Sequence, residues 1–222
     1  IQNDGLVKTQ ALISAVGGQS ITRTLDVSVR TDVEAMADFA ISETGRLDIW
    51  VNGAGISPIH SILNTVQETA ERTVAVNALG TYWGCMAAGR VMEHQGGGSI
   101  INISSAGGAK PVPDLAIYGM TKASVNSLTW TAAAEFGPKG IRVNAIAPGW
   151  IVTPAMGALF QDESGNFSQA KQRDMEAHII ASSPLKRLGT VTDIAYALLY
   201  LASDAASFVT GQVLRVNGGE SM

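Results

Sequence analysis

The sequence predicts an α/β fold in which helices cover both faces of a parallel sheet. Short apolar segments alternate along the chain with longer segments of helical spacing, and this alternation is typical of β-α-β units. Hydrophobic residues make up 46% of the 222 positions and charged residues only 15%, a balance that supplies a well-covered core. We therefore expect residues 1–222 to form a single domain with three layers.

Each element follows from local periodicity and from the residues that stop it. Glycine readily adopts the left-handed geometry that ends a helix, so Gly17, Gly45 and Gly96 mark three helix ends, while Ser28 is expected to cap a helix start. The predicted elements are, in order, a helix over 4–16, a strand over 20–27, a helix from 28 to 45, a strand over 47–51, a helical region over 66–92, a strand over 99–103, a helix over 116–136, a strand over 141–146, a helix over 192–202 and a strand over 213–216.

Tyr118 and Lys122 lie four residues apart in the predicted helix over 116–136. Residues at i and i+4 share one helix face, so this spacing places a phenol beside an ammonium. A neighbouring cation stabilises a phenolate and is expected to lower the pKa of the tyrosine from its usual value of ~10. The pair therefore predicts a proton-transfer catalyst, and hence an enzyme.

Further motifs accompany this pair in a fixed order, each of them after a predicted strand or within a helix. They are Asn52-Gly53-Ala54-Gly55, Asn77, Ser104-Ser105, Tyr118-x3-Lys122 and Pro148-Gly149-x-Ile151-x-Thr153. In these motifs the chain resembles the short-chain dehydrogenase/reductase family, in its classical type, and the resemblance covers essentially all 222 residues. The resemblance implies a Rossmann-type, doubly wound parallel sheet and a nicotinamide-dependent oxidoreductase that uses NAD or NADP.

The resemblance also implies four catalytic residues: Asn77, Ser105, Tyr118 and Lys122. Tyr118 would exchange a proton with the substrate oxygen, and Ser105 would fix and polarise that oxygen. Ser105 matches the family's serine-to-tyrosine interval better than Ser104, because it precedes Tyr118 by 13 residues. Lys122 would bind the nicotinamide ribose and lower the pKa of Tyr118, while Asn77 would hold a water that relays protons. The hydride itself belongs to the cofactor.

The cofactor contacts implied by the same resemblance are spread over four segments. Asp26 would accept a hydrogen bond from the exocyclic amine of adenine. Gly53 stands where the family more often has a second asparagine, which puts the rigidity of this loop in doubt more than its binding. The complete set is Asp26, Val27, Asn52, Ala54, Gly55, Tyr118, Lys122, Pro148, Gly149, Ile151 and Thr153.

The start of the chain departs from the family pattern. The glycines of Thr-Gly-x3-Gly-x-Gly let a backbone approach the cofactor pyrophosphate at a helix N-terminus, and this motif is absent here. The resemblance thus lacks its first β-α-β segment, and we expect roughly 30 to 40 further residues ahead of Ile1. The residue that selects between NAD and NADP would lie there, so both cofactors stay open, with NAD the first expectation.

Composition disfavours several other classes of function. The net charge is −4 and there is no cluster of Lys or Arg, so neither nucleic acid nor a membrane is an expected partner, and no apolar run approaches the ~20 residues that span a bilayer. The single cysteine, Cys85, is expected to be a buried thiol of a cytoplasmic protein. The histidines have no metal-ligand spacing, so no metal is expected. A small-molecule alcohol or ketone is the expected partner, together with further copies of the chain in a dimer or tetramer by family resemblance.

Two other functions stay open. One is reduction of 3-oxoacyl groups on acyl carrier protein, whose reductases share the ending found at 211–219. That carrier is acidic and would require basic residues at the site mouth, where Arg90 is nearly alone. The other is a catalytically silent dinucleotide-binding or scaffold protein, which the complete catalytic set disfavours.

Residues 154–184 form a connection long enough to predict a functional lid. A lid that closes over substrate is expected to mix apolar and mobile residues, and an excursion that serves oligomer contacts is the alternative. The relevant residues are Met156, Gly157, Leu159, Phe160, Gly165 and Phe167.

Overall fold

Four parallel strands form one sheet in the computed structural model, which describes residues 3–153, 160 and 164–220. Trp50 lies opposite Ile100 in the ladder of the first two strands, and Ile100 lies opposite Val143 in the next. The strands are β1 (Ile49–Asn52), β2 (Gly98–Ile103), β3 (Ile141–Pro148) and β4 (Val213–Val216), and they lie side by side in that order.

Seven α-helices accompany the sheet in the described part of the chain, so the α/β prediction is confirmed. No helix among these residues is both long and apolar enough to cross a membrane. The helices are α1 (Asn3–Ala15), α2 (Arg30–Thr44), α3 (Gln67–Thr73), α4 (Gly80–Gln95), α5 (Ala116–Phe136), α6 (Gln169–Ser182) and α7 (Val191–Ala202).

Helices pack on both faces of the sheet, which confirms the three-layer arrangement. On one face Met92 of α4 and Ala132 of α5 pack against Ile100. On the other face Leu201 of α7 packs against Ile101 and Ile146. The connection from β3 to β4 therefore passes over the opposite face from the helices that join β1 to β2 and β2 to β3. It has the opposite hand, an exception to the usual right-handed crossover.

Glycine ends the helices where the sequence predicts it. Gly45 and Gly96 close α2 and α4 with φ of 78° and 86°. Ser28, in contrast, does not cap α2, because the capping position is Val29. The Ser28 hydroxyl instead donates to the Asp26 carboxylate at 2.7 Å.

The strand predicted over residues 20–27 is wrong, since this segment has no strand conformation. A strand requires a ladder partner, and among the described residues β1 pairs only with β2. The apolar side chains of Leu25 and Val27 pack instead against the cluster formed by Val33, Ala37 and Ala87. Alternation of apolar residues here reflects packing on two helices.

Helix α6 lies within the connection for which a lid was predicted. The Ser168 hydroxyl accepts from Lys171 N and caps this helix. Before it, buried Phe160 meets exposed Phe167 edge to face, with ring centroids 6.4 Å apart. The predicted lid residues Met156, Gly157 and Leu159 lie outside the described residues.

Candidate active site

Three of the predicted motifs lie at the carboxyl edge of the sheet. Strand β1 ends at Asn52, β2 ends at Ile103 next to the serine pair, and β3 ends at Pro148. Parallel strands place these ends at a common edge, which is where open α/β sheets bind ligands. The chain's strand order thus brings three sequence-distant motifs to one side of the molecule.

The two adjacent serines point to different surroundings. Ser104 is buried, and its hydroxyl lies 2.6 Å from Asn126 Oδ1 and 3.1 Å from the Lys122 carbonyl, both on α5. Ser105 is partly exposed, its hydroxyl accepts from Gly107 N at 3.1 Å, and it lies near enough to the Tyr118 phenol to lower the pKa of that group. Ser104 therefore anchors α5, while Ser105 faces the tyrosine.

Tyr118 and Lys122 are side by side on α5, as their spacing predicts. Lys122 Nζ lies 5.7 Å from the centroid of the Tyr118 ring and donates to the Ile103 carbonyl at 2.7 Å. The lysine is only 5% exposed. Burial lowers the pKa of its ammonium to about 8, because the charged form loses hydration.

The expected fall in the pKa of Tyr118 is not what the structure shows. Burial raises the pKa of this phenol above its ordinary value, and the hydrogen bond with Ser105 offsets that rise only in part. Lys122 directs Nζ to Ile103 and sits against the ring, so its charge does not offset the lost hydration. The helical spacing correctly predicted proximity, but burial decides the sign of the shift.

Asn77 lies in a π-helical segment, Val74–Leu79, between α3 and α4. Its Oδ1 accepts from Ile56 N at 2.8 Å, and its Nδ2 donates to the Ile56 carbonyl at 2.9 Å and to Thr121 Oγ1 at 3.1 Å. The fully buried amide thereby ties the loop after β1 to α5. Such π segments frequently occur at functional sites.

Gly55 lies against the Asn77 amide and the Lys122 ammonium. A Cβ added to Gly55 would be 3.4 Å from Asn77 Oδ1 and 3.6 Å from Lys122 Nζ. The structure thus brings Gly55, Asn77, Ser105, Tyr118 and Lys122 into one cluster, which we call the Tyr118 cluster.

Asn52 is turned away from this cluster into a polar network under β1. Its Oδ1 accepts from Trp50 Nε1 at 2.7 Å, and its Nδ2 donates to Asn102 Oδ1 at 2.8 Å. A Cβ on Gly84 of α4 would lie 1.8 Å from Asn52 Oδ1. The Asn52 side chain therefore joins strand to helix, and only its backbone faces the carboxyl edge.

Asp26 and Val27 form a second region, separate from the Tyr118 cluster. The Asp26 carboxylate accepts from the backbone and side chain of Ser28 and from Arg72 at 3.0 Å. These bonds, those from Ser28 foremost, lower the pKa of Asp26 to about 2. Val27 packs on Gly80, where an added Cβ would be 3.0 Å from Val27 Cγ2. We call Asp26, Ser28 and Arg72 the Asp26 corner.

A cavity of about 340 Å³ opens beside β1. Three of the predicted cofactor residues, Val27, Asn52 and Ala54, line it together with Gly80 and Thr81. The cavity extends from α2, near the Asp26 corner, to the loop that leads to Gly55.

The segment after β3 borders a different cavity, of about 500 Å³. Gly149 N donates to the Val216 carbonyl at 3.0 Å, and Ile151 pairs with Gly189 as an isolated bridge. The Ile151 side chain points at Gly189, whose added Cβ would be 2.3 Å from Ile151 Cδ1. Pro148 ends β3 opposite Val216, and Thr153 is the last described residue before the 154–159 gap.

Sequence reasoning missed several polar residues that hold the site. Thr121 accepts from Asn77 and donates to the Tyr118 carbonyl at 2.7 Å, and Asn102 donates to Thr129 at 2.9 Å. Asn102 carried a detectable signal, because an amide in the apolar strand 99–103 must find a buried partner. The partners themselves are distant in sequence and could not be read from it.

Comparisons with known proteins agree with these motifs. A family model described as enoyl-(acyl carrier protein) reductase matches residues 1–221. The 3beta-hydroxysteroid dehydrogenase 1 of Eggerthella lenta is 37% identical over 220 residues, which cover 99% of this chain and 80% of that protein. The 3-oxoacyl-[acyl-carrier-protein] reductase FabG of Staphylococcus aureus is 37% identical over 210 residues, which cover 95% of this chain and 80% of that protein.

Solved structures agree as well. ElxO with NADP bound superposes with a TM-score of 0.85 at 34% identity, covering 99% of this chain and 85% of that chain. NAD+-bound xylitol dehydrogenase superposes with a TM-score of 0.89 at 28% identity, covering 98% and 86%. Since the family model spans nearly all of the sequence and the fold is shared throughout, the chain belongs to the short-chain dehydrogenase/reductase family of oxidoreductases and has its Rossmann-type fold.

Proposed function

We propose that the protein transfers a hydride between a nicotinamide cofactor and a small secondary alcohol or ketone. The observation that carries this proposal is the Tyr118 cluster, in which a buried ammonium, a phenol and a serine hydroxyl meet at the carboxyl edge of a parallel sheet. Oxidoreductase activity is common to the relatives, and the direction of the natural reaction is open.

Tyr118 is the proposed proton donor and acceptor. Its pKa is raised by burial, so at neutral pH the phenol is protonated and can donate to a developing alkoxide during ketone reduction. Ser105, whose hydroxyl is close enough to this phenol to lower its pKa, would orient the substrate oxygen against it. Alcohol oxidation requires the phenolate, and a charged Lys122 beside the ring favours that form.

Lys122 is the proposed link between the cofactor and Tyr118. An ammonium has three N–H donors, and among the described residues Nζ donates to one acceptor, the Ile103 carbonyl. The remaining donors suit the hydroxyls of a ribose, which fits a nicotinamide nucleotide at this edge. The bound nicotinamide would supply or accept the hydride.

Asn77 is proposed to hold the water that carries protons to solvent. Its two amide protons are used by Ile56 and Thr121, and Oδ1 accepts from Ile56 N. An amide oxygen has two lone pairs, so Oδ1 retains one acceptor site for a water. The same bonds give Asn77 a structural role in fixing the loop that carries Gly55.

The proposed cofactor site extends from the Tyr118 cluster to the Asp26 corner. Val27 and Ala54 would contact the adenosine half from the wall of the 340 Å³ cavity, and Asp26 would accept from the adenine amine. Asn52, Gly149 and Ile151 would contribute backbone groups, because their side chains or neighbouring space are already used. Thr153 and Pro148 complete the nicotinamide side.

Either nicotinamide cofactor is compatible with the family. ElxO is known with NADP and xylitol dehydrogenase with NAD+. We propose NAD first, with NADP as the direct alternative.

Reduction of 3-oxoacyl groups on acyl carrier protein is the second candidate, and the similarity to FabG favours it. Arg90, the basic residue singled out in the sequence, lies on α4 and pairs with Glu34 at 3.6 Å. An arginine on α4 that pairs with Glu34 of α2 is poorly placed to recruit an acidic carrier. A catalytically silent scaffold is disfavoured by the cost of burying Lys122, because no carboxylate among the described residues pairs with this ammonium.

Turnover with matched substrates tests the proposal. Purified full-length protein would be assayed with NAD+ and NADP+ against polyols and hydroxysteroids, and with NADH and NADPH against 3-oxoacyl thioesters. Reduced nicotinamide is followed by its absorbance. Turnover in any class supports the oxidoreductase and selects its substrate. No turnover in any class, despite tight dinucleotide binding, would favour the silent alternative.

We also propose that the protein is one domain, located in the cytoplasm, that assembles with further copies of itself. The free thiol of Cys85 is buried and its pKa is raised to about 12, so it suits a reducing compartment. Helix α7 and the turn after it expose Tyr196, Leu199 and Phe208, an apolar surface suited to a second copy. Light scattering of the purified protein would distinguish a dimer or tetramer from a monomer.

A further inference from the structure

The carboxylate of Glu220 lies at the meeting point of three chain segments. Its side chain is only 10% exposed and forms an ion pair with Lys110 Nζ. The same Oε1 accepts from Trp150 Nε1 at 3.1 Å. The Glu220 backbone belongs to a turn in which its N–H donates to the Asn217 carbonyl at 3.1 Å.

Both partners of Glu220 lie in segments that carry proposed site residues. Lys110 follows Ser105 by five positions and precedes Tyr118 by eight. Trp150 directly follows Gly149 and precedes Ile151. One carboxylate therefore joins the loop after β2 to the segment after β3.

The packing around Gly149 makes this junction tight. A Cβ on Gly149 would lie 2.8 Å from Asn217 Cα and 3.1 Å from Glu220 Oε2. Gly149 N also donates to the Val216 carbonyl at 3.0 Å. The segment after β3 is thus held against the C-terminal turn by backbone and by side chain.

A carboxylate serves both partners of this junction. It can accept from an ammonium and from an indole N–H at the same time, and charge-assisted hydrogen bonds are stronger than neutral ones. The pair is better shielded than the surface pair of Lys139 and Glu93, whose side chains are 38% and 47% exposed. Solvent therefore screens the Glu220 pair less.

We propose that Glu220 is a positioning residue. Through Lys110 and Trp150 it sets the distance between the segment 105–118 and the nicotinamide-side segment 148–153. Glu220 contacts neither substrate nor cofactor in this role. The inference rests on the proposed function, because it assigns residues 148–153 to the nicotinamide half of the cofactor.

Paired titrations test this inference in the full-length protein. One ligand is NADH or NADPH, whichever the wild type binds, and the other is the corresponding ADP-ribose, which lacks nicotinamide. Glu220→Gln and Lys110→Met should each weaken binding of the reduced dinucleotide about tenfold, as expected for one lost charge-assisted bond. Affinity for the nicotinamide-free fragment should change less than about twofold. Glu220→Ala, which also releases Trp150, should lose more than either.

Coupling between the partners gives a second readout. Because both variants break one ion pair, the double variant Glu220→Gln/Lys110→Met should bind the dinucleotide no more weakly than about twice either single variant. Glu93→Gln removes the surface pair with Lys139 and serves as the matched control, with both affinities unchanged.

Three results would overturn the inference. Unchanged dinucleotide affinity in Glu220→Gln and Lys110→Met would show that the junction does not position the site. If affinity for both ligands fell equally, together with the melting temperature, Glu220 would serve folding alone. A wild type that binds neither dinucleotide would refute the proposed function, and the inference with it.

Discussion

The Tyr118 cluster and the Asp26 corner both shift pKa values, but for opposite physical reasons. At Lys122 and Tyr118 the first cause is burial, which disfavours the charged form of each group. At Asp26 the first cause is hydrogen bonding from Ser28, which favours the charged form. The first region resists ionisation, and the second supports it.

The Tyr118 cluster therefore buries charge at a cost in free energy, whereas hydrogen bonds already stabilise the carboxylate of the Asp26 corner. A buried ammonium with one carbonyl partner is costly, and a fold retains such a group where its chemistry is needed. The Asp26–Arg72 pair is substantially exposed, with side chains 41% and 52% accessible, and such pairs contribute little to stability. We therefore propose that the reaction takes place at the Tyr118 cluster and that the Asp26 corner recognises the adenine end.

The largest expected effect is that of Tyr118→Phe. Loss of the phenolic hydroxyl removes the proposed proton donor while the ring remains, so kcat should fall about 10²- to 10⁴-fold and dinucleotide affinity should hardly change. Steady-state kinetics and a binding titration measure both quantities. A variant that keeps more than about a tenth of wild-type kcat would remove Tyr118 from this role.

Lys122→Met tests whether burial governs the pKa of the lysine in the Tyr118 cluster. In the wild type the unfolded chain holds the lysine proton up to its ordinary pKa of 10.5, whereas the folded protein releases it at a pKa of about 8. The unfolded state thus binds more protons between these values, so the unfolding free energy should rise with pH there, by on the order of 3 kcal/mol.

Lys122→Met should lack this rise. Denaturant unfolding at several pH values between about 8 and 10, without added cofactor, compares the two proteins. Parallel pH dependences would show that the ammonium is better hydrated than its burial indicates.

Gly84→Ala tests whether packing holds β1 against α4 between the two regions. The added Cβ would lie 1.8 Å from Asn52 Oδ1 and 2.9 Å from Trp50 Nε1, so the network must shift, at a cost of about 1–3 kcal/mol. Gly5→Ala in α1 is the control, because its Cβ would meet nothing within 4 Å. Equal melting temperatures for the two variants would contradict the tight contact.

The smallest effect is expected for Arg72→Gln. Since the two hydrogen bonds from Ser28 together stabilise the Asp26 carboxylate more than Arg72 does, Arg72→Gln should raise the pKa of Asp26 but leave it below its ordinary value. Dinucleotide affinity should change less than about fivefold. Carboxyl titration by NMR gives the pKa, and a rise to the ordinary value of an aspartate would reverse the ranking of causes.

Features that depend on neighbouring residues were predictable from the sequence. Helix ends at Gly45 and Gly96 follow from glycine geometry, and the proximity of Tyr118 to Lys122 follows from helical spacing. The order of the motifs also identified the family. Each single motif spans only a few residues, and their order along the chain could be read directly from the sequence.

Features that depend on distant partners were not predictable. Residues 20–27 have the pattern of a strand, but a strand needs a ladder partner that local sequence does not reveal. The Lys110–Glu220 ion pair joins positions 110 residues apart. The pKa of Tyr118 depends on burial, which helical spacing cannot report.

The central claim is that the Tyr118 cluster is the nicotinamide end of a cofactor site. Binding of NADH and NADPH by the full-length protein tests this claim most directly. Nicotinamide fluorescence is followed during titration of the wild type and of Lys122→Met. We predict saturable binding of at least one dinucleotide by the wild type, weakened at least about tenfold in the variant because the ribose donors are lost. Absence of saturable binding of either dinucleotide, or equal affinity in the two proteins, would contradict the claim.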